Sequence, residues 1–324
     1  MAPTLSVLRR TVAVLARTVA VFTGLLDPWV FMSVSLSYLP RVLATLILAP
    51  TGGGGPSLAR IREAWFGAFW REAAGPGIRA RNAERVRALL RGRVHAGRAL
   101  ADGAEGGNAP LAGVVLELGA GAGFWVDVFP EVADCGGGGG EAEPGRPRVE
   151  RIYGVEPNAA HHPALRAAVA RAGLADVYDI VPVGIEALRA PSAAAAALDA
   201  RAGRLRLPPA SVDCIVSLLC LCSIPDPERN IRALYDLLRD GGRWYVYEHV
   251  RCEYSWYMRA YQRFVNIFWP HFLGGCQLCR PTATYLRAAG GVTGVDAWSR
   301  FDLAQPPEEE WWHTVPHVLG VLTK

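Results

Sequence analysis

The residues best placed to do chemistry begin in Val114–Phe124, VVLELGAGAGF, where Glu117 precedes Gly119, Ala120, Gly121 and Gly123. Apolar β-formers running into an acid and then into alternating glycines read as a buried strand, a tight turn and the first turn of a helix. Glycines there admit positive φ and let a ligand approach where a Cβ would block it. A helix N-terminus would add free N–H groups. The spacing is GxGxG and not the GxGxxG of dinucleotide folds. A nicotinamide enzyme and a plain strand–turn–helix with no ligand are the competing readings. A second carboxylate, Glu156, closes the next apolar run, where it can accept both hydroxyls of a ribose. Farther on, Cys220, Cys222, Glu248 and His249 follow two more apolar runs, and an imidazole there can take a proton from an acceptor. Cys276 and Cys279 form a CxxC, a redox pair or half of a zinc site, but no second CxxC or paired histidine stands nearby in sequence. Free thiols in a reducing compartment are the favoured reading, and no metal site is expected. His161-His162 reads as a helix start.

These residues need a scaffold that gathers strand ends. From Leu111 the pattern alternates strand and helix, which predicts a doubly wound, mostly parallel sheet with ligands at the carboxyl ends of its strands. The expected strands are Val114–Leu118, Arg151–Val155, Val177–Val183, Cys214–Leu219 and Arg243–Tyr247. A helix over Pro227–Arg239 should stop at Gly241-Gly242. The segments 135–149 and 191–209 read as inserted surface loops. Removing the first restores the usual spacing of about twenty residues between the glycine turn and the ribose-binding acid.

The net charge of +4 conceals an asymmetry, since the first hundred residues carry fourteen arginines against four acids. That region should face an anionic surface, and a membrane fits better than nucleic acid. Residues 1–50 are apolar but contain no run of eighteen uncharged residues, so a helical hairpin or interfacial anchor is expected, with a break at Pro40. Three arginines and no acid in residues 1–26 also suit a mitochondrial presequence. Residues 51–110 read as a linker and amphipathic helices, with Trp65, Phe66, Phe69 and Trp70 clustered, and 111–324 as the main domain. Tyr254–Phe272 holds nine aromatic residues in nineteen, His271 included. Beside an apolar anchor it reads as a lid over an apolar pocket, with Tyr254, Tyr257 and His271 facing substrate.

Acid-x-Gly-x-Gly-x-Gly at a strand end resembles the cofactor loop of class I S-adenosylmethionine-dependent methyltransferases. Ser211–Val250, with its VD, LCS, RDGG and EHV, is similar to the ubiquinone-methylase type. Together with Trp269–Phe272, Gly275-Cys276, the apolar N-terminus and the closing Pro316–Leu322, it resembles more closely the membrane-anchored methyltransferase-like seven proteins, which methylate alkyl thiols. IYGVEPN and YEHV suggest a fungal branch. The resemblance implies a seven-stranded Rossmann-like sheet and S-adenosyl-L-methionine as cofactor. It puts Glu117 at the ammonium end, Glu156 and Asn158 at the ribose, Val183-Gly184-Ile185-Glu186 beside the adenine, and Leu218 and Leu219 along the donor. The family's adenine-side acid is replaced here by Gly184. The implied acceptor is a small hydrophobic thiol with His249 as its base, on the cytosolic face of endoplasmic reticulum or lipid droplet. A quinol, a phenol, a lipid amine and a catalytically silent membrane-tethered scaffold are the alternatives.

Overall fold

In a computed structural model the described residues are 2–48, 56–101, 103–104, 107–136, 145–189, 197–199, 204–291 and 298–324. The glycine-rich stretch expected as a linker, most of the 191–209 insert and the centre of the 135–149 insert lie outside them. The helices α1 (Ala2–Ser37) and α2 (Leu39–Leu48) come first, followed by α3 (Leu58–Phe69), a π-helical turn over Trp70–Ala74, and α4 (Gly75–Leu90). A small ribbon of β1 (Val94–His95) and β2 (Arg98–Ala99) leads to β3 (Gly113–Leu118), α5 (Val128–Val132), β4 (Val149–Val155), α6 (His162–Arg171) and β5 (Tyr178–Val181). Then come the ribbon β6 (Ala197–Asp199) and β7 (Arg204–Arg206), β8 (Val212–Leu218), α7 (Pro227–Leu237) and β9 (Leu238–His249). The chain closes with α8 (Trp256–Val265), α9 (Trp269–Phe272), α10 (Thr282–Arg287), β10 (Arg300–Ala304) and β11 (His317–Thr323).

Seven strands form one sheet in the order β10-β11-β9-β8-β3-β4-β5. β5, β4, β3, β8 and β9 run parallel, and β11 is antiparallel to both β9 and β10. The chain leaves β3 towards β4 on one side and returns to β8 on the other, so a crevice opens at the carboxyl end of β3, the position where such sheets bind ligands. Every residue of β8 is buried, as a central strand covered on both faces requires. β9 contributes the fully buried Trp244, Tyr245 and Tyr247. The Tyr247 hydroxyl donates to Asn82 Oδ1 (2.9 Å) and accepts from Arg85 (3.0 Å), so α4 is tied to the central sheet by satisfied polar groups.

Several local expectations are corrected. No helix follows the glycine turn directly, because residues 121–127 are irregular and α5 starts at Val128. Gly241-Gly242 does not end a helix. β9 already begins at Leu238, and the glycines sit in a bulge where pairing passes from Val212–Leu238 to Cys214–Arg243. Where described, the 191–209 insert contains the antiparallel ribbon β6–β7, and Leu205 and Leu207 join the core.

The N-terminus is not a hairpin. α1 runs for 36 residues, about 54 Å at 1.5 Å per residue, through Pro28, and the break before α2 falls at Tyr38, close to Pro40. Arg9–Leu48 is long and apolar enough to cross a membrane by length and hydropathy. Its first part is exposed, with Val12, Val14, Leu15, Val19 and Phe22 all more than half accessible. Its last third packs on the domain. Trp29 Nε1 donates to the Tyr261 hydroxyl (2.9 Å), Ser35 Oγ donates to the Phe272 carbonyl (2.8 Å), and Met32 joins Phe69, Trp269 and Leu273 in one cluster.

Candidate active site

At the carboxyl ends of β3, β4, β8 and β9 lies a cavity of about 1070 Å³. Its donor end is the glycine turn. Gly119 has φ +65°, and a Cβ there would come within 2.6 Å of Cys220 Cβ, so only glycine lets this turn close against the loop after β8. Gly119, Ala120 and Gly121 line the cavity, as do Glu156 and Asn158. Gly121 N and Asn158 N each donate to the Glu156 carboxylate at 2.8 Å. Burial raises the pKa of Glu156 against the lowering effect of those two bonds. Its carboxylate is thus held by backbone at the end of β4, where paired ribose hydroxyls would meet it. Gly184, Ile185, Leu218 and Leu219 complete this wall. Leu219 has φ +60°, a costly conformation for a bulky residue, held by a 2.9 Å bond from its N–H to the Tyr247 carbonyl.

Other expected residues lie elsewhere. Glu117 does not line the cavity: it is 2% exposed, and its carboxyl accepts the Tyr178 hydroxyl. Burial pushes its pKa up to about 7, opposed by the Tyr178 bond. Gly123 also faces away, with φ +81° and Ala168 Cβ 2.6 Å from where a side chain would start; it is needed for packing on α6. Glu248 is behind the pocket wall and not in it. Its Oε1 accepts from Cys220 N (3.0 Å) and Leu221 N (3.1 Å), so it anchors the loop after β8, and burial raises its pKa to about 7. Tyr254 and Tyr257 are nearly half exposed and outside the cavity. Tyr254 precedes the amphipathic α8, and Tyr257 packs on Trp311 at the surface. Of the segment expected as a lid, the α9 end does cover the cavity, through Trp269 and Phe272, and it is joined by Phe66 of α3, Trp70 of the π-helical turn and Phe31 of α1. A π-helical turn shifts the register of a helix by one residue, and such turns recur at functional sites.

The acceptor end gathers Cys222, His249 and Cys276, all buried and all on the cavity wall, with His271 at its exposed side. His249 Nε2 lies 2.9 Å from Cys276 Sγ, and Trp269 Nε1 donates to the same sulfur at 3.2 Å. Gln277 N donates to the Cys222 carbonyl (3.0 Å), locking the loop after α9 onto the loop after β8. The bond with Cys276 and burial together hold the Cys222 thiol well above its ordinary pKa, and burial does the same to Cys220. Sequence reasoning set Glu186 beside the adenine without giving it a role, and it is an exposed acid at the cavity beside Gly184; the assembly of Cys276 with His249 was missed. The acid was legible two positions after Gly184, but the thiol–imidazole contact was not.

The turn, the paired strand-end carboxylate and Glu186 fit the ribose, the adenine and the sulfonium side chain of S-adenosylmethionine, since at Gly121 the space a side chain would fill is open on the cavity, its nearest neighbour being Trp70 Nε1 at 3.5 Å.

Residues 83–289 match a family described as "Methyltransferase domain". Human thiol S-methyltransferase TMT1A is 32% identical over 115 residues, covering 35% of this chain and 44% of that protein. Rat thiol S-methyltransferase TMT1B is 29% identical over 119 residues, covering 37% of this chain and 46% of that protein. The chain spans less than half the length of these curated relatives. Among solved structures, the Burkholderia thailandensis 1,6-didemethyltoxoflavin-N1-methyltransferase covers 85% of this chain and 94% of its own, at 15% identity and a TM-score of 0.45.

Proposed function

The chain belongs to the methyltransferase domain family, whose methyl donor is S-adenosylmethionine, and we propose that it methylates small hydrophobic thiols at a membrane surface. The observation that carries this reading is the cavity's two-ended build. One end is a backbone cradle closed by Glu156, and the other is an aromatic chamber whose inner wall presents Cys222, His249 and Cys276. Methyl transfer from a sulfonium asks little covalent help of a protein. It asks for in-line placement and for the removal of water from the nucleophile. Trp269, Phe66, Trp70 and Phe31 supply the dry chamber, and His249 lies on its wall beside Cys276. The partial likeness to thiol S-methyltransferases supports sulfur as the accepting atom.

The apolar, largely exposed first part of α1 supports a membrane seat, with lipid-soluble acceptors entering from the bilayer. Endoplasmic reticulum or lipid droplet follows from the sequence resemblance. The test is methyl transfer from labelled cofactor to panels of alkyl thiols, phenols, quinols and lipid amines. Thiols are expected to be methylated at least tenfold faster than the other classes at equal concentration. A phenol or amine turned over with thiols inert would overturn the sulfur assignment. Binding of S-adenosylhomocysteine with no transfer to any acceptor would mark a non-catalytic scaffold.

A further inference from the structure

Cys222, His249 and Cys276 come from three separate elements: the loop after β8, the last residue of β9 and the loop after α9. Their ligating atoms all lie within 4.8 Å of one another, and the three residues are 2%, 5% and 9% exposed. His249 Nδ1 is buried without a hydrogen-bond partner. Two thiols and an imidazole are the donor set of a borderline-soft divalent ion. Zn–S near 2.3 Å and Zn–N near 2.0 Å place tetrahedral ligand atoms roughly 3.5 Å apart, a spacing this cluster reaches with small side-chain rotations. Structural zinc sites close with four protein ligands, whereas three ligands facing a cavity leave a position for a reactant. The N–H of Trp269 holds Cys276 Sγ from behind, as outer-shell groups do around metal ligands, and the Gln277–Cys222 backbone bond fixes the two cysteine-bearing loops against each other.

We propose that this cluster binds a zinc ion that takes the acceptor thiol as its fourth ligand; the second half of the inference rests on the thiol reading above. Zinc displaces the protons of Cys222 and Cys276 and bonds one nitrogen of His249, giving a centre with no net charge. The incoming thiol gives its proton to water on binding, while the cavity is still open at its His271 side, and is held as a thiolate. Its lone pair forms the new S–CH3 bond while the methyl–sulfonium bond breaks, and that electron pair stays on the sulfur of S-adenosylhomocysteine. The product thioether is a poorer ligand than a thiolate and leaves. An acceptor held this way needs no free base in a chamber closed to water.

The experiment uses the full chain in detergent, stripped with a chelator and titrated with Co2+ as a spectroscopic substitute. One equivalent is expected to give a thiolate-to-cobalt charge-transfer band and intense tetrahedral d–d bands. Cys222→Ser and Cys276→Ser should each weaken binding at least tenfold, while Cys279→Ser, outside the cluster, should not. An alkane thiol added with S-adenosylhomocysteine should shift the d–d bands. A missing charge-transfer band in the wild-type protein overturns the site, whether or not the serine variants fold. An undiminished thiol-methylation rate in protein shown metal-free by elemental analysis overturns the ion's role while leaving the thiol reading intact. The cobalt bands together with inert thiols would instead leave the ion and remove the acceptor.

Discussion

Glu117 and Glu156 show how two carboxylates at neighbouring strand ends take different work. Glu156 is fixed by two backbone N–H groups on the cavity wall, and Glu117 is sealed beneath the turn against Tyr178. With its pKa lifted to about 7 in the fold, Glu117 holds a proton that it would lose near pH 4.5 when unfolded. Between these values the native state binds more protons than the unfolded state, so this contribution is full below about pH 4.5 and is lost as pH rises through 7. Glu117→Gln keeps an acceptor for the Tyr178 hydroxyl and cannot ionise. Relative to wild type it should gain stability on passing from pH 4.5 to pH 8, by on the order of 3 kcal/mol. Denaturant unfolding across that range measures it, and parallel pH profiles for the two proteins would refute it.

At the scale of elements, α1 does two jobs that meet near its middle. Val12 to Phe22 offers an apolar face to the surroundings, while Trp29 to Ser35 packs on the domain and adds Phe31 to the cavity's cover. Deleting residues 1–50 would therefore uncover Phe69 and Trp269 and damage the site along with any anchor. A cleaner test is the double substitution Val14→Glu and Phe22→Glu, which touches only the exposed part. It should move most of the protein from the membrane to the soluble fraction and leave S-adenosylhomocysteine affinity within about twofold, since each charge in an apolar phase costs about 2–3 kcal/mol. Unchanged membrane association of a folded double variant would place the anchor elsewhere.

For the whole molecule, the apolar chamber predicts how rate depends on acceptor size. Each methylene removed from water contributes about 0.8 kcal/mol, roughly a fourfold gain. A series of straight-chain alkane thiols should therefore show kcat/KM rising about fourfold per carbon and levelling off once the chamber is filled. A flat series, or a preference for charged thiols, would mean that the acceptor binds outside this cavity. Phe31→Ala, which opens the cover from α1, should lower the slope of the series more than it lowers cofactor affinity.

The sequence determined by itself whatever depends on near neighbours along the chain. Alternating apolar runs marked the parallel strands because side-chain period and burial are local properties of a strand. Gly119 and Glu156 were legible because a tight turn and a strand-end acid are each set by a few consecutive residues. Tertiary structure alone decided where the remaining side chains point. Glu117, Gly123 and Glu248 are each next in sequence to a cavity residue, yet strand pleat and turn geometry aim them into packing. Within the segment expected as a lid, Tyr254 and Tyr257 lie outside because α8 turns its aromatic face outward, while Trp269 covers the cavity together with Phe66, Trp70 and Phe31 from elements far earlier in the chain. The thiol–imidazole cluster was hidden for the same reason. Cys276 lies 27 residues from His249 in sequence, and the 2.9 Å between them exists only because the loop after α9 folds back over the end of β9.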